Sequence, residues 1–154
     1  MSRIVVLNSG PLGLLAYVRS NQEALECRAW VRALLASGTT VIIPEIADYE
    51  VRRELLRMGL TKAIIRLETL ETVSGITYLP ITTQALRLAA EYWARSRRAG
   101  RPTADPKALD ADVIVAAQAR LVTGEDDEMT VATTNVGHLA QFVSAAGWRD
   151  IPPD

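Results

Sequence analysis

Four consecutive branched apolar residues, Ile4-Val5-Val6-Leu7, run straight into the polar turn Asn8-Ser9-Gly10-Pro11. A run that is apolar at every position has no face to give to water, so it reads as a buried central strand. Such strands belong to parallel sheets covered by helices on both sides, and these sheets carry their chemistry outside the carboxyl ends of their strands. Asn8 stands at that end. The remainder of the chain must supply further strands and the covering helices, and 154 residues suffice. A single domain spanning 1–154 is expected, burying about 68–70% of its unfolded surface.

The pattern along the chain meets that demand. Leu12, Leu14, Leu15 and Val18 predict a short helix, and Ala24, Cys27, Val31, Leu34 and Leu35 a longer one from Ala24 to Ala36, stopped by Gly38. Thr39 to Ile43 is rich in β-branched residues and predicts a second strand, closed by Pro44. Glu45 to Met58 and Thr61 to Val73 read as helices, and Ile76 to Leu79 as a third strand. Thr82 to Arg98 reads as a long helix whose inner face is expected to hold Leu86, Ala89, Ala90, Trp93 and Ala94. After the loop 100–105, Pro106 opens a strongly apolar helix through Val122, with Asp105 expected as its cap. Thr130 to Thr133 predicts a fourth strand, Val136 to Ala145 a short helix, and Trp148 to Ile151 an edge strand. Strands alternating with helices give an α/β fold of three layers, α/β/α, around a mainly parallel sheet of four or five strands.

Several function classes are excluded or made remote. A formal net charge of −1 is not that of a generally basic nucleic-acid binder, although it leaves room for a local basic patch. Cys27 is the one cysteine, so no internal disulfide can form, and one Cys with one His cannot build a zinc site. The acidic stretch Gly124-Glu125-Asp126-Asp127-Glu128 reads as a solvated loop. A Walker loop is absent, and Gly10-Pro11-Leu12-Gly13 lacks the remaining glycine spacing of a dinucleotide fingerprint. Arg3 is followed by four apolar residues before Asn8, too few for a signal peptide, and no run approaches the roughly 20 apolar residues of a membrane span. A cytoplasmic location is the expectation.

The acids then become informative. Glu50 follows Ile46 by four positions and Ala47 by three, so it shares their apolar face, where an unpaired carboxylate is costly. It needs a cation, whether Arg53, Arg57 or a metal. Asp112 leads into Val113-Ile114-Val115-Ala116-Ala117-Gln118-Ala119, a face too apolar for a casual surface acid. Asp110 lies two residues away, roughly 200 degrees round a helix of 3.6 residues per turn, so the two cannot point the same way. Asp110 ranks below Asp112, as an accessory acid or a ligand of a second metal. His138 is the chain's one histidine, and at a strand end it reads more readily as a structural or capping group than as a base.

Taken in order, four segments resemble the motifs of PIN-domain nucleases, the family that includes VapC-type toxins. Val5-Val6-Leu7-Asn8-Ser9-Gly10-Pro11-Leu12 is similar to the first motif, with Asn8 where the family has an aspartate. Tyr49 to Leu55 resembles the second, whose glutamate matches Glu50. Asp112 to Ala119 resembles the third, and Thr133-Thr134-Asn135-Val136-Gly137-His138-Leu139 the last, with Asn135 at its polar position. The resemblance implies an endoribonuclease, the toxin of a toxin–antitoxin pair, with Asn8, Glu50, Asp112 and Asn135 as catalytic residues. Asn8, Glu50, Asp112 and Asp110 are the implied ligands of Mg²⁺ or Mn²⁺, hard cations that take oxygen ligands and activate water.

Asn8 keeps an amide oxygen but removes one negative charge from beside the metal, so the site is expected to be impaired. The alternative is a non-catalytic PIN-like module that binds RNA or a protein partner. Arg52, Arg53 and Arg101 are the expected phosphate contacts, with Arg57, Arg95, Arg97, Arg98 and Lys107 as further basic positions. An antitoxin or a second copy of the chain is expected to dock on the early helices from Leu12 to Ala36, where Tyr17, Leu25 and Trp30 offer apolar surface.

Overall fold

A computed structural model of the chain describes residues 2–17, 21–100 and 106–154. In these residues five parallel strands form one sheet: β1 (Arg3–Leu7), β2 (Thr40–Pro44), β3 (Ile76–Leu79), β4 (Glu128–Thr133) and β5 (Ala145–Gly147), in the order β3-β2-β1-β4-β5. The expected α/β fold with a covered parallel sheet is the fold observed. β1 is central, with Val5 facing Val41 of β2 on one side and Thr130 of β4 on the other. The chain leaves β1 toward β2 and returns to the other flank at β4, so the strand order reverses beside β1. Open α/β sheets bind their ligands at such a reversal.

Among the described residues seven α-helices cover the sheet: α1 (Ser9–Ala16), α2 (Gln22–Ala36), α3 (Glu45–Arg57), α4 (Thr61–Leu70), α5 (Thr83–Arg98), α6 (Pro106–Val122) and α7 (Val136–Leu139). Alternation along the strands sorts the two layers. Val5, Leu7, Val41 and Ile43 point into a core built with α1 to α4, whereas Ile4, Val6, Ile42 and Val131 point into one built with α5 to α7. Full burial of Val5, Val6 and Leu7 contributes about 1.5–3 kcal/mol each. Helix α3 serves both layers, with Ile46 in the second and Ala47, Val51 and Leu55 in the first. Gln118 on α6, itself buried, pins that junction by donating to the Leu79 carbonyl at 2.9 Å and accepting from the Ile46 amide at 3.5 Å.

Five expectations are corrected. On α5 the buried stripe is Ala85, Ala89, Tyr92 and Ser96, and Leu86 and Trp93 are 48% and 38% exposed. The sequence pattern placed the inner face one position late, because the small residues, not the large ones, let α5 approach α6. Helix α7 ends at Leu139, which frees Phe142 to stack on Tyr92 at a centroid distance of 4.8 Å. The edge strand is Ala145–Gly147, and Trp148–Asp150 is a 3-10 turn that swings Trp148 onto Trp30. Trp30 is therefore not a docking residue; it is buried and donates its indole N–H to the Ile151 carbonyl at 2.8 Å. The first helix also begins earlier than read, at Ser9, and Val18 lies outside the described residues. Among the described residues no helix is long and apolar enough to cross a membrane.

Candidate active site

The carboxyl end of β1 turns into α1 without a spacer because Asn8 is both strand end and helix cap. Its backbone N–H continues the sheet to the Ala132 carbonyl at 2.9 Å, and its side-chain oxygen accepts the Ser9 amide at 2.8 Å. The side-chain NH₂ donates to the Thr133 hydroxyl at 3.2 Å, tying the ends of β1 and β4 together. Thr133 also receives the Asn135 amide at 3.0 Å, so one hydroxyl holds two of the motif segments. Gly10 completes the junction: a Cβ there would lie 2.5 Å from the Thr134 hydroxyl oxygen, so a hydrogen is required at this approach.

Glu50 reaches the same edge from α3, with 20% of its side chain exposed. Burial pushes its carboxyl above the ordinary value; Arg53's charge opposes this, Asp112's charge adds to it, and a hydrogen bond from Ser9 opposes it again. Asp112 comes from α6, 18% exposed, and burial raises its carboxyl as well, against a hydrogen bond with His138. That bond joins His138 Nδ1 and Asp112 Oδ2 at 2.9 Å. Two half-buried carboxyl groups on different helices therefore meet at the mouth of the β1–β4 reversal, where Glu50 feels the charge of Asp112. Groups perturbed in this way by burial and by a like charge cluster at functional sites.

The remaining sequence candidates separate. Asn135 follows β4 at the amino end of α7; its side chain is exposed and makes no capping bond. Asp110 is exposed in the groove between α5 and α6, beside Leu86, Trp93 and Ile114, and is not brought to Glu50 and Asp112. The 200-degree offset along the helix explains it. Arg52 is occupied: its guanidinium bonds Asp48 and Glu68, both at 2.9 Å, and approaches Glu71 at 3.8 Å. Arg53 is 54% exposed, lies 3.9 Å from Glu50, and rests over the Tyr49 ring. Arg57 pairs with Glu54 at 2.8 Å. Arg101, Asp105 and the loop around them lie outside the described residues, as does the side chain of Lys107.

Sequence reasoning gave too little weight to His138 and passed over Ser9 and Thr133. A lone histidine carries no spacing signal, and its partner is 26 residues away. It also missed a second acidic group on the outer side of α3, where burial and the neighbouring Asp48 push the Glu71 carboxyl up to about 7. Burial acts to raise Asp48 too, but hydrogen bonds from Arg52 and Glu71 and the charge of Arg52 hold it below its ordinary value.

The family model described as PIN domain matches residues 14–133, and 120 of the 154 residues lie in that span. The chain belongs to the PIN-domain family. Solved structures share the fold. VapBC2 from Rickettsia felis, bound to a DNA fragment from their promoter, superposes with a TM-score of 0.69 at 14% identity, covering 94% of this chain and 98% of that one. FitAcB from Neisseria gonorrhoeae gives 0.62 at 19% identity, covering 96% and 99%. VapBC-1 from nontypeable Haemophilus influenzae gives 0.57 at 13% identity, covering 96% and 99%. No curated protein matches the sequence.

Whether the PIN-domain edge can hold a metal depends on its donors. Mg²⁺ is commonly held by one or two carboxylates, with waters and substrate phosphate completing the shell. Glu50 and Asp112 fit that description, being two hard oxygen donors whose mutual repulsion a dication relieves. The set is lean, since among the described residues no three His, Cys, Asp or Glu side chains come together as a metal group. Asn8 is the reason, because it puts a neutral amide at the end of β1 where a carboxylate would give the edge a third acid.

Proposed function

We propose that this PIN-domain protein is a Mg²⁺- or Mn²⁺-dependent endoribonuclease, the toxin of a toxin–antitoxin pair, with an activity impaired by Asn8. The observation that carries the reading is the meeting of Glu50 and Asp112, each raised by burial, at the edge where β1 and β4 diverge. Glu50 and Asp112 would hold the ion, with the free lone pair of the Asn8 amide oxygen as a neutral third donor. The chemistry such an ion supplies when bound is acidification of a water and neutralisation of the phosphate's charge. Ser9 lies beside Glu50 in the wall of the pocket, and His138 fixes one oxygen of Asp112 and leaves the other free. Arg53, exposed beside Glu50, is placed to meet a phosphate oxygen; Arg52 is not, because its donors are engaged.

The toxin–antitoxin reading draws support from the shared fold with VapBC and FitAB structures. A homodimer or antitoxin contact on the early helices rests on the exposed Leu25 and on Tyr17, since Trp30 is turned inward. A second reading, a PIN-like module that binds RNA or protein without cutting, is favoured by one observation. Both polar atoms of the Asn8 side chain are engaged in holding α1 and β4. Incubating single-stranded RNA with Mn²⁺ separates the readings. Cleavage by the Asn8→Asp form that disappears when Asp112→Asn is added supports the nuclease. RNA left intact by the chain as it stands and by Asn8→Asp alike favours the module.

A further inference from the structure

Beside Glu50 the surface opens into a pocket of about 410 Å³ between α1 and α3. Gly13, Leu14 and Tyr17 line it from α1, and Arg53 and Leu55 from α3, while Ser9 and Glu50 form the wall it shares with the acidic edge. Gly13 is the informative residue. It sits inside α1, where glycine is about 1 kcal/mol less favourable than alanine. Its φ is not among the positive ones, and a Cβ there would meet only Val51 at 4.0 Å, an ordinary contact. Neither backbone nor packing requires a glycine, in contrast with Gly10. What the missing side chain does is leave the pocket floor open.

We infer that this pocket receives one unstacked base of a single-stranded nucleic acid whose adjoining phosphate lies at the Glu50–Asp112 edge. The inference rests on the nuclease reading and adds a specificity subsite to it. The volume falls in the range of pockets that hold ligands of nucleotide size. Tyr17 and Leu14, both half-buried, supply aromatic and aliphatic surface against which any base can lie, the usual means of holding single strands. Charge fits as well: Arg53 stands at the rim with its guanidinium exposed, while the nearby Glu54 is neutralised by Arg57. A base seated here shares a wall with the carboxylates, so its own phosphate is delivered to them. A paired base cannot enter, and the site therefore selects single strands.

The test measures binding of a short labelled RNA strand, and of the same strand without bases, to the whole protein in Mg²⁺ by fluorescence anisotropy. The intact strand should bind on the order of 10-fold more tightly than the abasic one. Gly13→Ala should lower that ratio while melting no lower than the parent; Gly13→Phe, which fills the floor, should reduce the ratio to about 1. Tyr17→Ala should lower it several-fold without adding bulk, and it decides the matter if Gly13→Phe does not fold. An unchanged ratio in folded Gly13→Phe, or in Tyr17→Ala, overturns the inference. Equal binding of intact and abasic strands by the parent overturns the pocket but leaves the nuclease reading standing, whereas failure of both strands to bind overturns the two together.

Discussion

Replacing Asn8 by aspartate should make the metal-free protein weaker and the metal-loaded protein stronger, by amounts that follow from general magnitudes. Locally the exchange is nearly neutral: Asn and Asp are equivalent helix caps, and a charge at the start of α1 is favourable by about 0.3–1 kcal/mol. The NH₂ bond to Thr133 is lost, but the Thr133 hydroxyl can turn from its 3.4 Å contact with the Asn135 carbonyl and donate to the new carboxylate. Against this, the new charge joins Glu50 and Asp112. Two unit charges about 6 Å apart repel by about 3 kcal/mol at an effective dielectric of about 20, before proton uptake relieves part of it. A net loss of about 2 kcal/mol follows at pH 8 in EDTA, which lowers Tm by about 4–8 °C for a chain of this length. The carboxyls concerned are raised in the folded state, so their contribution is present at low pH and lost as pH rises. The loss should accordingly shrink toward pH 4. Saturating Mn²⁺ at about 100 times Kd returns about 2.7 kcal/mol, and the Mn²⁺-induced rise should be larger in the variant than in the parent. Calorimetry with and without Mn²⁺ at both pH values checks this. Equal Mn²⁺ shifts in the two forms, or no loss in EDTA at pH 8, would refute the placement of Asn8 beside a metal edge.

The outer acidic group gives a second expectation. Glu71 is raised from 4.5 to about 7 in the folded chain, so the stability it contributes is present below about pH 4.5 and lost as pH passes 7. Glu71→Gln keeps a donor toward Asp48, and its melting temperature should gain on the parent's between pH 5 and pH 8; a constant difference would exclude a shared proton. Removing His138 takes away the bond that lowers Asp112, so His138→Ala should weaken Mn²⁺ binding more at pH 6 than at pH 8, and His138→Gln less so, as read by calorimetric titration. Gly10→Ala should destabilise the protein by about 1–3 kcal/mol by urea unfolding, because the added methyl meets Thr134 at 2.5 Å and outweighs the gain in helix propensity. Thr134→Ala should recover part of that loss.

The architecture was legible because β1, β2 and β4 are apolar on both faces and the helices between them keep a 3.6-residue period. Boundaries failed where a single side chain decides them. Asn8 starts α1 three residues before its first periodic leucine, and Phe142 ends α7 by stacking on Tyr92. The inner face of α5 was misread because bulk suggested burial, while close approach to α6 selects Ala85 and Ala89. In the site, Glu50 and Asp112 were visible as acids on apolar faces, a local property of helical sequence. His138, Ser9 and the engagement of Arg52 were not, because each depends on partners from other elements. Asp110 shows the value of helix geometry: the offset read from the sequence is the reason it faces α5.

Asn8 and Thr133, which close the site with one hydrogen bond, are 125 residues apart. A chain made from its amino end at about 5–20 residues per second therefore exposes the start of α1 for roughly 6–25 seconds, and Glu50 for roughly 4–17 seconds, before β4 is complete. Once β2 is made, β1 has it as a neighbour but keeps an open flank until β4, and Asp112 waits longer still, because His138 follows β4 in the chain. The edge that joins Glu50 and Asp112 is therefore closed only once β4 has been made, and every shorter stretch of the growing chain lacks it.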